Sequence, residues 1–259
     1  QLTDPHAVII MDDASYHSDH REFLINYSGV AQTETEEAII MNMAKFNFGD
    51  SELTSSAVIF NADHPRNIGA LQLVEKLDTP SAKDIFVPYF FKTNGGYELE
   101  EDFTVSYQNE AYTFRIAGFF ETTMMGTTSV GVMKFMLPEL PYQALVKQLD
   151  NESQGLILST MMEDKAHATK LLNDFSSEFP ELENTEMNSY FWELDIEIVK
   201  NVSTLTINII AIILVAFAAI IVLVSLIVIK YRVSNSIEDG MTNIGVLKAI
   251  GYTSKQILS

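Results

Sequence analysis

The chain has 259 residues, 47% of them apolar, enough for a core of ordinary size in one large domain or two small ones. Its 35 acidic and 16 basic residues give a formal charge of −19, which argues against a nucleic-acid partner, since a phosphate backbone is neutralised by clustered Lys and Arg. Cysteine is absent, so neither a disulfide framework nor a thiolate metal site is possible; the redox compartment is left open, and the absence fits a bacterial surface domain.

The chain opens at Gln1 without the basic start, apolar middle and small-residue cleavage site of a signal peptide, and it reads as a piece of something longer. Residues 1–190 alternate strand-like and helix-like patterns without a repeat. "AVIIM" at 7–11 and "SAVIFNA" at 56–62 read as short buried strands, and "EAIIMNMAKFNFGD" between them as another strand that turns at Gly49 and Asp50. "KTNGGYEL" supplies a glycine turn at Gly95 and Gly96. In "EDFTVSYQNEAYTFRIAGFFE", residues 101–121, Phe103, Val105 and Tyr107 alternate with Thr104 and Ser106. Tyr112, Phe114 and Ile116 then alternate with Thr113 and Arg115, so the segment predicts a β-hairpin around a polar "QNE" turn.

Two helices follow. Pro141 suits a first helical turn, with Tyr142, Leu145, Val146 and Leu149 at i, i+3, i+4 and i+7. Ala168, Leu171, Leu172, Phe175 and Phe179 form a second stripe whose opposite face is charged. "GLILSTMM", 155–162, reads as a buried strand between them, and each helix is expected to cover a sheet in a mixed α+β layer.

From Ile207 to Ile229 only Asn208 and Ser225 interrupt Ile, Leu, Val, Ala and Phe. At 1.5 Å per residue the run covers about 35 Å, against about 30 Å of hydrocarbon, and its Ile, Leu, Val and Phe side chains favour insertion by roughly 5 to 10 kcal/mol. Lys230, Arg232, Lys248 and Lys255 follow it with only Glu238 and Asp239 for balance, whereas Glu181, Glu183, Glu186, Glu193, Asp195 and Glu197 precede it. The basic side is the expected cytoplasmic side, which leaves residues 1–190 outside. Tyr190, Phe191, Trp192 and Tyr231 form an aromatic belt in one reading; in the other Trp192 packs on the outer domain. With no Pro or Gly from Glu181 to Arg232, the acidic stretch Leu194 to Val199 is expected to extend the membrane helix outward as a stalk.

No catalytic signature is present: there is no P-loop, G-x-S-x-G, H-E-x-x-H or G-x-G-x-x-G. His17, Asp19 and His20 in "YHSDHRE" are the one cluster with metal-like spacing, but no third ligand position supports it, and a solvated polar helix is the expectation. His6, His64 and His167 stand alone. Sequons at Asn26, Asn151 and Asn201 matter only in a eukaryotic secretory route. Met41, Met43, Met124, Met125, Met133, Met136, Met161 and Met162 are expected to fill the core, the alternative being a groove for a greasy ligand.

After the apolar run, Gly240 is the expected helix stop, Thr242 or Asn243 the cap of a new short helix carrying Ile244, Leu247, Lys248 and Ile250, and Gly251 its end. Thr253 and Gln256 fit a capping box that opens a further helix at Ile257 and Leu258, one able to re-enter the bilayer.

"IGVLKAIGYTSKQI" directly after a basic-ended membrane helix resembles the coupling segment of the FtsX-like permeases, the MacB-type ABC transporter family, where variants of E-I-G-V-L-K-A-L-G-x-S are typical. "GGYELEEDFTVSYQNEAYTFRIAGFFE" is similar to that family's outer hairpin, with Glu101-Asp102 where Gly-Asp is usual and Gly118 at the strand end. Asn243 stands where an acidic residue is common. The resemblance implies an α+β extracytoplasmic domain at 1–190, a stalk and second transmembrane helix at 191–234, and at 235–259 a short cytoplasmic coupling helix and the start of the next transmembrane helix. It implies a non-catalytic permease subunit of the bacterial cytoplasmic membrane without a cofactor, working with a separate ABC ATPase, a second permease copy and an extracytoplasmic peptide, lipid or protein. Ile244, Gly245, Val246, Leu247, Lys248, Ile250 and Gly251 are the implied ATPase contacts. A membrane-anchored receptor or sensor is the main rival reading; an anchored surface enzyme is a weaker one.

Overall fold

The computed structural model describes residues 4–127, 131–149, 151–184 and 191–253. Two units, 1–203 and 204–259, divide the chain.

The first unit is a ten-stranded mixed sheet. Its strands are β1 (Ala7–Asp12), β2 (Val30–Phe48), β3 (Ser51–Asn61), β4 (Gln72–Lys76), β5 (Asp84–Pro88), β6 (Asp102–Tyr107), β7 (Glu110–Glu121), β8 (Val132–Leu137), β9 (Gln154–Met162) and β10 (Phe191–Asp195). They lie in the order β10-β1-β9-β2-β3-β8-β5-β7-β4, with β6 against β2 and β7. Among the described residues, only β3–β8 and β5–β7 run parallel. The helices of this unit are α1 (Ser18–Asn26), α2 (Tyr89–Thr93), α3 (Glu139–Gln148) and α4 (Ala168–Glu178).

The expected strands at 7–11, 56–62 and 155–162 all form, and β2 proves longer than the segment that announced it. Its first half pairs with β9, from Val30↔Met162 to Ile39↔Gln154, and its second half with β3, from Ala38↔Phe60 to Phe48↔Ser51. A bulge between Met41 and Ala44 puts Met43 in the left-handed region at φ 56° and leaves its side chain exposed. Met41, Met124, Met125, Met133, Met136 and Met162 are buried, as core filling requires. Gly155 sits where β9 passes between β1 and β2: a Cβ there would stand 2.8 Å from the Met11 carbonyl oxygen.

The hairpin is β6–β7. Gln108 and Asn109 occupy the left-handed region at φ 51° and 65°, the pattern of a type I′ turn whose twist matches the flanking strands. Phe103, Val105, Phe114 and Ile116 are buried on its inner face. Phe91 of α2 packs edge-on against Phe103 at 5.2 Å and Phe46 at 5.6 Å. Tyr142 and Leu145 of α3 close the same cluster. The second predicted stripe, Ala168, Leu171, Leu172 and Phe175 of α4, packs on Ile9, Met11 and Leu158.

Three expectations meet the structure here: two are corrected, and one choice between readings is decided. The polar helix expected at 16–22, observed as α1, is not simply solvated. His20 is 1% exposed, meets Phe179 edge-on at 4.5 Å, and its Nδ1 accepts the His17 backbone N–H at 3.1 Å. Burial, reinforced by His17, holds its imidazole below the usual pKa. No group of three or more His, Asp or Glu that could hold a metal occurs among the described residues. Second, Phe191 and Trp192 belong to β10, paired with β1 through Ile10↔Trp192 and Met11↔Phe191, and Trp192 packs on an apolar cluster of the sheet rather than in a belt. Tyr190 lies outside the described residues. Third, the stretch at 194–199 is not an unbroken stalk from Glu181: Pro180–Asn184 is a 3₁₀ turn, β10 ends at Asp195, and the helix begins only at Ile196.

Candidate functional site: the root and the far end of the long helix

The helix α5 (Ile196–Ala249) carries the apolar run. Its first turn is built into the sheet domain. Asp195, 3% exposed, accepts the backbone N–H of Glu197 at 2.6 Å and of Ile198 at 3.3 Å, satisfying two donors that the helix cannot pair internally. Thr169 of α4 donates its hydroxyl to the same carboxylate. The Ile196 N–H is bound by the His6 carbonyl at 3.1 Å, and Ile196 and Val199 are buried beside Val8 and Ile10. Lys165 reaches Glu197 at 2.9 Å, which pushes its ammonium pKa upward. Asp195 was not singled out in the sequence, although an Asp directly before an apolar helical run is a local cap signal.

In the second unit, every large apolar side chain from Ile209 to Ile229 is exposed. Among the described residues, Asn208–Ala249 is the one helical segment long and apolar enough to cross a membrane. A surface apolar all round is stable only when lipid or other apolar helices cover it. The Ser225 hydroxyl is satisfied within the helix by the Ile221 carbonyl at 2.8 Å, so it costs little in such surroundings.

The break expected at Gly240 does not occur. Helix α5 runs through it to Ala249, and Thr242 turns its hydroxyl back to the Glu238 carbonyl at 3.1 Å instead of capping a new helix. One glycine weakens a helix interior by about 1 kcal/mol, too little to end it without a competing cap. The stop at Gly251 is real: at φ 100° it closes a Schellman motif, with Tyr252 N–H on the Leu247 carbonyl and Gly251 N–H on the Lys248 carbonyl, each at 3.1 Å. There is therefore no separate short helix among the described residues, and the capping box that includes Gln256 lies outside them.

Helical spacing sorts the seven expected contact residues. Ile244, Leu247 and Lys248, with Gly251 just past the helix end, fall at i, i+3, i+4 and i+7 on one face. Val246 and Ile250 lie on the opposite side and Gly245 between them, so a flat partner surface cannot meet all seven at once. Leu247 is half-buried; Ile244, Val246 and Ile250 are exposed. Lys230, Arg232 and Lys248 supply the positive charge of this end.

No family model matches the chain, and no curated protein matches it. Among solved structures, it is similar to the periplasmic region of MacB from Actinobacillus actinomycetemcomitans, at 12% identity over 76% of this chain and 91% of that chain, with a TM-score of 0.31. It is also similar to the extracellular domain of the noncanonic ABC-type transporter YknZ from Gram-positive bacteria, at 9% identity over 72% of this chain and 99% of that chain, with a TM-score of 0.32.

Proposed function

We propose that this chain is part of the permease subunit of an FtsX-like, MacB-type ABC transporter, transmitting ATP-driven motion from a cytoplasmic ATPase to an extracytoplasmic domain. The observation that carries the reading is the order of parts along α5: a capped root in the sheet domain, a bilayer-length apolar segment, then basic residues and "NIGVLKAIG" at the far end. Residues 1–190 would face outward, with the C-terminal end in the cytoplasm, because Lys230, Arg232 and Lys248 flank the span on that side. A motor that displaces the Leu247 end would move the helix, and the Asp195 cap together with buried Ile196 and Val199 would pass that movement to β10 and β1. The chemistry of hydrolysis then belongs to the ATPase and the mechanical work to this chain; a second permease copy would complete the assembly.

A photoreactive amino acid placed at Leu247 in living cells tests this. The expected adduct, identified by mass spectrometry, is a protein carrying an ABC ATPase's nucleotide-binding motifs. An adduct with a signalling enzyme instead, or none at all, favours the anchored-receptor reading and contradicts ours.

A further inference from the structure

The sheet domain holds a second feature that is independent of the membrane reading. Strand β3 ends at Asn61 and covers β2 only from Ala38 onward, so the Thr35–Glu37 edge lies open beside the start of α3. A cleft of about 350 Å³ occupies this gap, lined among others by Thr35, Glu36, Glu37, Asn61, His64 and Tyr142. That volume lies within the range of small-molecule sites.

Its charges are unbalanced. Glu36 is answered by Arg66 at 2.9 Å. Glu37 is exposed and forms no ion pair among the described residues. Asp63 and Glu139 lie beside the lining residue Asn61, also without a cation among the described residues. Asp63 accepts the Glu139 backbone N–H at 2.8 Å, and Glu139 accepts from the Asn61 amide. Two polar groups are left over. Tyr142 is only 5% exposed, yet its hydroxyl makes no hydrogen bond among the described residues. Thr35 Oγ1 is buried without a partner among them. The Thr35 hydroxyl is shut off from solvent, as are those of Thr33 and Ser55, whereas the Tyr142 hydroxyl is not and lies in the lining of the cleft, where an occupant can meet it. Burial, with Glu37, Glu36 and Glu139 around it, pushes the Tyr142 phenol up to about 12, in keeping with a strongly negative surrounding.

We propose that this cleft binds an organic cation, a guanidinium or alkylammonium group carried by a peptide side chain or a polyamine. Glu37 supplies the counter-charge and the Tyr142 hydroxyl accepts a hydrogen bond from the N–H groups. A metal ion fits less well, because no three His, Asp or Glu side chains converge among the described residues.

Equilibrium dialysis of labelled spermidine, and separately of an N-acetylated Arg-Arg amide, against the full chain in zwitterionic nanodiscs at about 0.15 M salt tests the proposal, since bulk attraction to the acidic surface is largely screened there. We expect one saturable site for at least one probe, the tighter probe naming the source. Glu37→Gln should weaken it about fivefold or more, and Tyr142→Phe, which keeps the ring packed, about threefold. Asp78→Asn, a charge removed just beyond β4 at the far edge of the sheet, should leave it unchanged. Absence of a saturable site, or equal weakening by Glu37→Gln and Asp78→Asn, overturns the assignment.

Discussion

Under the proposed function, Leu247→Asp is expected to abolish stimulation of the partner ATPase while the sheet domain stays folded. Leu247 shares a face with Ile244 and Lys248 in the last turns of α5. An apolar contact there would have to bury the new carboxylate without a partner. At a cost of about 3 kcal/mol that weakens association on the order of 100-fold. Asp near a helix C-terminus also opposes the helix dipole, by about 0.3–1 kcal/mol. Ala249→Asp carries the same charge at the same end but points to the other side, so it separates the two effects and should stay near wild type. ATP hydrolysis of co-reconstituted complexes gives the readout, and Trp192 near-UV dichroism reports the domain. Unchanged stimulation in Leu247→Asp, or equal loss in both variants, contradicts the contact.

Lys134→Met is expected to stabilise the sheet domain at pH 7 by about 1–3 kcal/mol, because it removes a charge buried without a close ion pair. Lys134 lies on β8, 8% exposed, with its Nζ 4.8 Å from the Phe60 ring centre. Burial brings its ammonium down to about 8; Arg66 acts in the same direction, against the opposing pull of Glu36 and Asp4. The sign follows from linkage. Between the folded value of about 8 and the unfolded 10.5, the unfolded chain holds more protons, so stability rises with pH across that window and is flat below it. The advantage of Lys134→Met should therefore shrink by about 2 kcal/mol between pH 7 and pH 9.5. Denaturant titrations of both proteins at the two pH values check this. A less stable Met variant at pH 7, or a gap that does not narrow, contradicts it.

These two sites also show how far the sequence reaches. The β6–β7 hairpin was readable because strict alternation and its polar turn are local, and α3 and α4 because each buries one stripe. Strand β8 is hard to read because Lys134 interrupts its apolar run, and a lysine inside a sheet core is accommodated by the Phe60 ring and the pull of Glu36, both arriving from elsewhere. Strand β10 was misread as stalk: "FWELDIEIV" has helical spacing, and its sheet partner, β1, lies nearly the whole domain away in sequence. The opposite error befell Gly240, where a local stop signal gave way to the helical preference of its neighbours. The cleft at Tyr142 draws on three separate segments, so no motif announces it.

The most direct test of the account is the sidedness of α5. Since the chain has no cysteine, single substitutions give clean labelling positions: Ser51→Cys at the start of β3 and Ser236→Cys beyond the apolar run. With a membrane-impermeant maleimide on intact cells, we predict that Ser51→Cys is labelled and that Ser236→Cys is protected until the membrane is opened. Labelling of Ser236→Cys in intact cells would contradict the account.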